Sequence, residues 1–299
     1  MSVMLKPIDE QVIVITGASS GIGLATAREA AQRGARLVLA ARSEPALSDL
    51  VNEIEAQGGQ AIYVVADVGV REQVVSIAIA AIARFGRIDT WINNAGVSIY
   101  GRLEEVEEQD SRRLFETNFW GVVHGSLVAL PYLRRQGGAL INIGSEASEA
   151  AIPLQGMYVA SKHAVKGFTD VLRVEVEQVD KAPVSITLIE PTAVDTPFPQ
   201  HARNYMAHEP KLPSPQIEPK LVAEAILAAA VTPTRVDKVG VMATLNTAMA
   251  KFVPALGDRM AASRLKQQQY PERPRNPEGA LYRACGGSGT HGRRPAGSH

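Results

Sequence analysis

Cysteine is almost missing from this chain: Cys285 is the only one in 299 residues. That excludes an intrachain disulfide and any multi-cysteine metal site, and it fits a reducing compartment. Cys285 lies in a polar tail, a poor setting for a nucleophile. An excess of one charge is lacking too, since Lys plus Arg and Asp plus Glu each number 31. No global field therefore favours nucleic acid or an anionic membrane, and partners must be recognised by local sites. No apolar run approaches the roughly 18 residues that cross a bilayer. The opening "MSVMLKPIDEQVIVITG" lacks the charged flank, long apolar run and small-residue cleavage site of a secretory signal, so a cytoplasmic location is expected. No internal repeat is visible, and no metal site is expected.

What is present is an alternation. Short runs rich in Val and Ile, "QVIVIT", "ARLVLAA", "QAIYVVAD", "RIDTWINN", "GALINIGS" and "PVSITLIE", are separated by helical patterns of ten residues or more. Near-continuous apolar strands between helices indicate a parallel sheet covered on both faces, hence a doubly wound α/β fold of Rossmann type. One core is expected, spanning residues 1–245, with a C-terminal extension over 246–299 that ends in a flexible tail rich in Pro, Arg and Gly. Residues 191–219 are proline-rich and aperiodic and read as a lid, after which "PKLVAEAILAAAV" resumes a helix and "KVGVM" offers a last strand.

The first strand runs into "TGASSGIG", residues 16–23. Gly17, Gly21 and Gly23 permit a sharp turn and a close approach, and the amides around Ser19, Ser20 and Ile22 then face an anion at the helix N-terminus. The placement between first strand and first helix points to a dinucleotide. After the second strand a carboxylate would bind a ribose 2′-hydroxyl, but Ala41 and Arg42 stand there. The Arg42 guanidinium suits a 2′-phosphate, so NADP(H) is expected, although an arginine there also fits a solvated loop. "ADV" closes the third strand at Val68, with Asp67 placed to accept from the adenine amino group or to cap a helix.

"NNAG" then brings Asn94, Ala95 and Gly96 beside the glycine loop, and here the sequence resembles the short-chain dehydrogenase/reductase family over residues 9–245. The resemblance rests on "TGASSGIG", "NNAG", Asn118 in "FETNFWG", Ser145 in "INIGSEAS", and Tyr158 with Lys162 in "YVASK". It implies an oxidoreductase interconverting an alcohol and a ketone or aldehyde by hydride transfer. The oxygen of the reacting carbon must gain or lose a proton, and a phenol with pKa near 10 is a poor acid or base at neutral pH. Lys162, one helical turn from Tyr158, would stabilise the phenolate and lower that pKa. By the resemblance Lys162 also binds the nicotinamide ribose, Ser145 holds the substrate oxygen, and Asn118 fixes a water through a bent backbone. Pro191, Val194 and Thr196 would line the nicotinamide end. Thr192 stands where the family usually has glycine, which leaves that loop less backbone freedom.

The substrate is less legible. Ile99, Ile152, Leu154, Met157 and Phe198 suggest an apolar alcohol or ketone, or are simply packing residues. Glu146 and Glu149 would favour a cationic or hydroxylated substrate. His201, Arg203, Asn204 and Tyr205 either line the substrate entrance or form a solvated lid face. The helix "SKHAVKGFTDVLRVEVEQV" carries Ala164, Val165, Phe168 and Leu172, more apolar surface than one sheet face covers, and a homodimer or homotetramer built on it is expected. Two other classes remain open: an NADP(H)-binding redox sensor without turnover, and a membrane-associated protein held by residues 239–256.

Overall fold

The structure, a computed structural model, describes residues 3–263, 265–285 and 289–292. Strand β1 (Val12–Thr16) is buried at all five positions, and its side chains divide by pleat. Ile13 and Ile15 join one core with Leu24, Leu37, Leu39 and Ile226, while Val12 and Val14 join another with Val38, Trp91 and Leu130. A sheet with a core on each face needs helices on both. They follow in alternation: α1 (Gly21–Gln32), β2 (Arg36–Ala41), α2 (Glu44–Ala56), β3 (Gln60–Val65), α3 (Arg71–Phe85) and β4 (Thr90–Asn93). After a short β5 (Ile99–Tyr100) come α4 (Glu108–Phe115), α5 (Gly121–Gln136), β6 (Gly138–Ile143), α6 (Gly156–Arg173) and β7 (Val184–Pro191).

Beyond β7, residues 191–219 are more ordered than their composition suggests. They contain α7 (Phe198–His201) and β8 (Arg203–Asn204), and β8 pairs in parallel with β5. Helix α8 (Pro219–Ala229) packs against α1, and the last strand, β9 (Val236–Val239), lies two residues earlier than "KVGVM" implied. Helices α9 (Val241–Phe252) and α10 (Pro254–Ser263) complete the elements. In α9, Ala243 and Thr247 turn inward while Val241 and Phe252 face solvent.

The sheet has seven parallel strands in the order β3-β2-β1-β4-β6-β7-β9. The chain leaves β1 toward β2 and later returns to its other side at β4, so the loops after Thr16 and Asn93 emerge side by side at the carboxyl ends. That is the switch point at which such sheets bind ligands. No helix among the described residues is long and apolar enough to cross a membrane.

Two expectations need correction. On α6, Val165 and Leu172 are core residues and Phe168 packs against the core. The apolar groups left outside are instead Val171 and Val174, with Leu127 on α5. The C-terminal stretch is also not free where it is described: Leu281 is fully buried beside Val97, Leu114 and Tyr158. One apolar anchor and a run of backbone hydrogen bonds dock a segment whose composition reads as polar tail. Residues 286–288 and 293–299 of that expected tail lie outside the described residues.

Candidate active site

The register of β1 and β4 pairs Ile15 with Ile92, which delivers the glycine loop and "NNAG" to the same edge. Thr16 Oγ1 accepts from the amides of Asn94 (3.0 Å) and Ala95 (3.2 Å), and Asn94 Nδ2 donates to Thr16 O at 2.9 Å. The two loops are thereby stitched together. A Cβ on Gly23 would overlap the Gly17 carbonyl, so only glycine lets α1 start this close to the loop.

Across the cleft, α6 presents Tyr158 and Lys162, both buried, with the Lys162 Nζ 5.7 Å from the phenol ring centroid. Lys162 donates to Ile143 O at 2.7 Å, which holds the ammonium at the end of β6. Two residues beyond Ile143, Ser145 caps a single turn, its Oγ accepting from the Ala147 amide at 3.1 Å. Asn118 lies in a π-helical turn (Glu116–Trp120) between α4 and α5, the bent backbone expected of it. Its side chain bonds both the amide (2.8 Å) and the carbonyl (2.9 Å) of Val97, and it reaches Ser161 Oγ at 3.1 Å. Asn118 therefore ties the loop after β4 to α6, one residue from Lys162.

One cavity of about 240 Å³ joins these parts. Gly17, Ser19, Ser20, Gly21, Ile22, Arg42, Asp67, Val68, Asn94, Ala95, Gly96, Ser145, Tyr158, Lys162, Pro191, Val194 and Thr196 all line it; Gly23 and Asn118 stand behind the wall. Of the apolar substrate candidates, Ile152 and Phe198 line it, while Ile99 belongs to the core. His201 lines it as well, but Arg203 and Tyr205 turn to Asp110, at 2.9 and 2.7 Å.

The model of the short chain dehydrogenase family matches residues 11–206. The chain belongs to the short-chain dehydrogenase/reductase family. It is 46% identical over 294 residues to the uncharacterised oxidoreductase YxnA of Bacillus subtilis, covering 97% of this chain and 82% of that one. An 11-beta-hydroxysteroid dehydrogenase A of Sesamum indicum is 40% identical over 192 residues, 64% of this chain and 54% of that one. Among solved structures, a short-chain dehydrogenase/reductase of Burkholderia phymatum in complex with NAD superposes with a TM-score of 0.73 at 29% identity, covering 90% of this chain and 99% of that one. An alcohol dehydrogenase of Thermococcus sibiricus complexed with 5-hydroxy-NADP gives 0.66 at 32%, covering 77% and 94%.

In this short-chain dehydrogenase the electrostatics depart from the simple expectation. Burial pushes the Tyr158 phenol up to about 12, Ser145's hydrogen bond pulls it back by less, and the Glu146 carboxylate adds to the rise. Burial has also pushed the Lys162 ammonium down to about 8. Removing a phenolate from water is the largest of these effects. Asp67 Oδ1 accepts from the Gly69 amide at 2.9 Å, and its carboxylate pairs with Arg113. It holds the turn after β3 rather than capping α3, whose N-cap is Val70, and it still lines the cavity.

Sequence reasoning missed a buried polar chain behind the site. Asn93 Nδ2 donates to Asn142 Oδ1 (2.8 Å) and Ser126 Oγ (3.1 Å), and Asn142 Nδ2 donates to Thr169 Oγ1 at 2.9 Å. It links β4, β6, α5 and α6. The neighbouring asparagines of "NNAG" and "INIG" were its only trace.

Proposed function

We propose that this chain transfers hydride between NADP(H) and the carbonyl carbon of an apolar ketone or aldehyde, or the matching alcohol, with Tyr158 as the proton-carrying group. The observation that carries the reading is the single cavity with Ser145, Tyr158 and Lys162 at one end and Arg42, without a carboxylate at the end of β2, at the other. Its residues fit a dinucleotide: a glycine loop that excludes side chains, amides at the start of α1, and a guanidinium placed for a 2′-phosphate. The bound nicotinamide supplies or accepts the hydride, and the rest of the chemistry belongs to the chain.

Ser145 Oγ and the Tyr158 hydroxyl share the wall at which the substrate oxygen would lie, and both can donate to charge developing there. With its pKa near 12, Tyr158 holds its proton at neutral pH, so the protonated form needed for carbonyl reduction is present and gives up its proton as negative charge develops on the substrate oxygen. Lys162, cationic below about 8, stabilises the phenolate left behind and is placed to hold ribose hydroxyls. Asn118 keeps the loop after β4 and α6 in register. Ile152, Phe198, Leu212 and Pro213 give the substrate end an apolar surface beside the charged Glu146 and Lys162.

The test is a cofactor-consumption screen with NADPH and with NADH against ketones and alcohols, steroids, retinoids and small aliphatics included. Turnover of an apolar carbonyl with NADPH preferred is expected. Tight NADPH binding with no turnover across the panel would move the reading to a sensor.

A further inference from the structure

Arg42 is not waiting for a phosphate. Its Nη1 donates to Leu281 O at 3.1 Å and its Nη2 to Ala280 O. Arg113, beside it, donates to the same Leu281 carbonyl at 3.2 Å. Farther along the cleft, the Gly21 amide at the start of α1 donates to Gly289 O at 2.9 Å. The groups assigned to anion recognition at both ends of the phosphate path thus bind carbonyl oxygens of the chain's own C-terminal segment.

The segment is built into its place. Leu281 is fully buried beside Tyr158, Val97 and Leu114. The Tyr282 hydroxyl donates to Asp110 Oδ1 at 2.7 Å. The Ala280 amide donates to His201 O at 2.7 Å and the Asn204 amide to Pro277 O at 2.8 Å, clamping the strap to α7 and β8. Gly279, at φ +58°, lies so close to the backbone of His201 and Ala202 that a Cβ would overlap their carbonyls. Ala280, Ala284 and Cys285 form part of the cavity wall. With the strap in place the cavity holds about 240 Å³. Sites for drug-sized ligands run from roughly 300 to 1,000 Å³, and a dinucleotide is larger than most such ligands.

We propose that the segment around residues 276–285 is a built-in competitor of the cofactor, docked on Arg42 in place of the 2′-phosphate, so that NADP(H) binds as the strap is displaced. The inference rests on the cofactor reading above. Exchange favours the dinucleotide at Arg42, because a phosphate offers the guanidinium an anionic acceptor suited to paired hydrogen bonds where the strap offers only neutral carbonyls. The docked state lowers apparent affinity by the fraction of molecules that are open. A minor state of roughly 0.1–10% corresponds to a weakening of about ten- to a thousandfold.

Cys285, the chain's one cysteine, reports on the strap directly. It is half-buried, with Asn276 Nδ2 at 3.5 Å from its sulfur. The experiment measures the rate at which a disulfide reagent labels Cys285 in the full chain, with and without NADPH, alongside fluorescence titration of NADPH and NADH. Two variants loosen the strap outside the catalytic groups: Gly279→Ala, which forces the backbone apart, and Tyr282→Phe, which removes only a hydroxyl. The expected result is that NADPH accelerates labelling. Both variants should label faster without NADPH and bind it more tightly, Gly279→Ala by tenfold or more and Tyr282→Phe by less. Protection of Cys285 by NADPH, or weaker NADPH binding in the variants, would overturn the proposal in favour of a strap that closes over the cofactor. Identical affinity in all three proteins would overturn the strap alone. Open variants that bind neither NADPH nor NADH would overturn both it and the cofactor reading.

Discussion

Thr192 Oγ1 donates to Glu146 Oε2 at 3.1 Å, joining the residue after Pro191 to the residue after Ser145. The same oxygen accepts from Asn246 Nδ2 at 2.8 Å, so α9 is tied to the serine loop as well. A threonine where the family usually carries glycine therefore has a task here: its hydroxyl helps hold a buried carboxylate at the cavity wall. Thr192→Val keeps the shape and deletes one donor to that carboxylate. Because Asn246 remains, the loss of stability should be about 1 kcal/mol, at the lower end for a buried acceptor stripped of a partner. Denaturant unfolding measures it, and an unchanged midpoint would show that the bond contributes nothing.

Glu146 also sets a sign for pH dependence. Tyr158 is protonated below about 12, so the proton donor for carbonyl reduction is present across the neutral range. Lys162 loses its charge as pH rises through about 8. Reduction should therefore be level below pH 8 and decline above it. Alcohol oxidation needs the phenolate and should climb with pH. Glu146→Gln removes the carboxylate that raises the phenol, so the rise of the oxidation profile should move to lower pH. Initial-rate profiles in both directions test this, and an oxidation profile that stays put or moves upward would contradict it.

Much of this architecture can be read in one dimension because its signals are local. Val and Ile runs mark strands buried on both faces, "TGASSGIG" marks a backbone conformation open to glycine, and Tyr158 and Lys162 share a helix face by spacing alone. The strap was not legible for a physical reason. Its contacts with Arg42 and Gly21 use main-chain carbonyls, which every residue carries, so "RNPEGALYRAC" reads as polar tail despite Leu281. The Glu146–Asn246 bond spans 100 residues and depends on how α9 docks. The raised Tyr158 pKa is illegible in the sequence because neighbouring charge is visible there and desolvation is not.

Arg42 holds the strap and is the proposed phosphate ligand, so its removal should act on the two cofactors differently. Arg42→Ala loosens the strap for both and deletes a charge-assisted contact for NADPH only. A hydrogen bond to a charged group contributes about 1.5–3 kcal/mol, or roughly ten- to a hundredfold in affinity. The ratio of NADPH to NADH dissociation constants should rise by that factor, whichever way the absolute values move. A constant ratio in fluorescence titrations would remove Arg42 from the cofactor assignment.

Self-association is proposed through α5 and α6, on different residues from those first expected. Val171 on α6 is 59% exposed, Leu127 on α5 49% and Val174, just past α6, 48%, apolar side chains outside the core. A charge placed there should separate subunits without touching the cavity, so Val171→Glu should reduce the mass measured by light scattering at micromolar concentration while Cys285 labelling stays unchanged. A parent chain that is already monomeric would refute the pairing.

The decisive substitution remains Tyr158→Phe. It keeps the ring that packs edge-on against Phe198 at 5.4 Å and deletes only the hydroxyl, so folding and NADPH binding should survive. General acid catalysis supplies about 10²- to 10⁴-fold, and turnover of any substrate found in the screen should fall by at least that order. Lys162→Ala should behave differently. It removes the charge that stabilises the phenolate together with the proposed ribose contact, and it leaves Ile143 O without its donor. Rate and cofactor affinity should fall together. Single-turnover rates and NADPH dissociation constants, measured side by side for the two variants, separate a lost proton donor from a lost binding group. A Tyr158→Phe protein that reduces substrate at the parent rate would leave the buried phenol without a catalytic role.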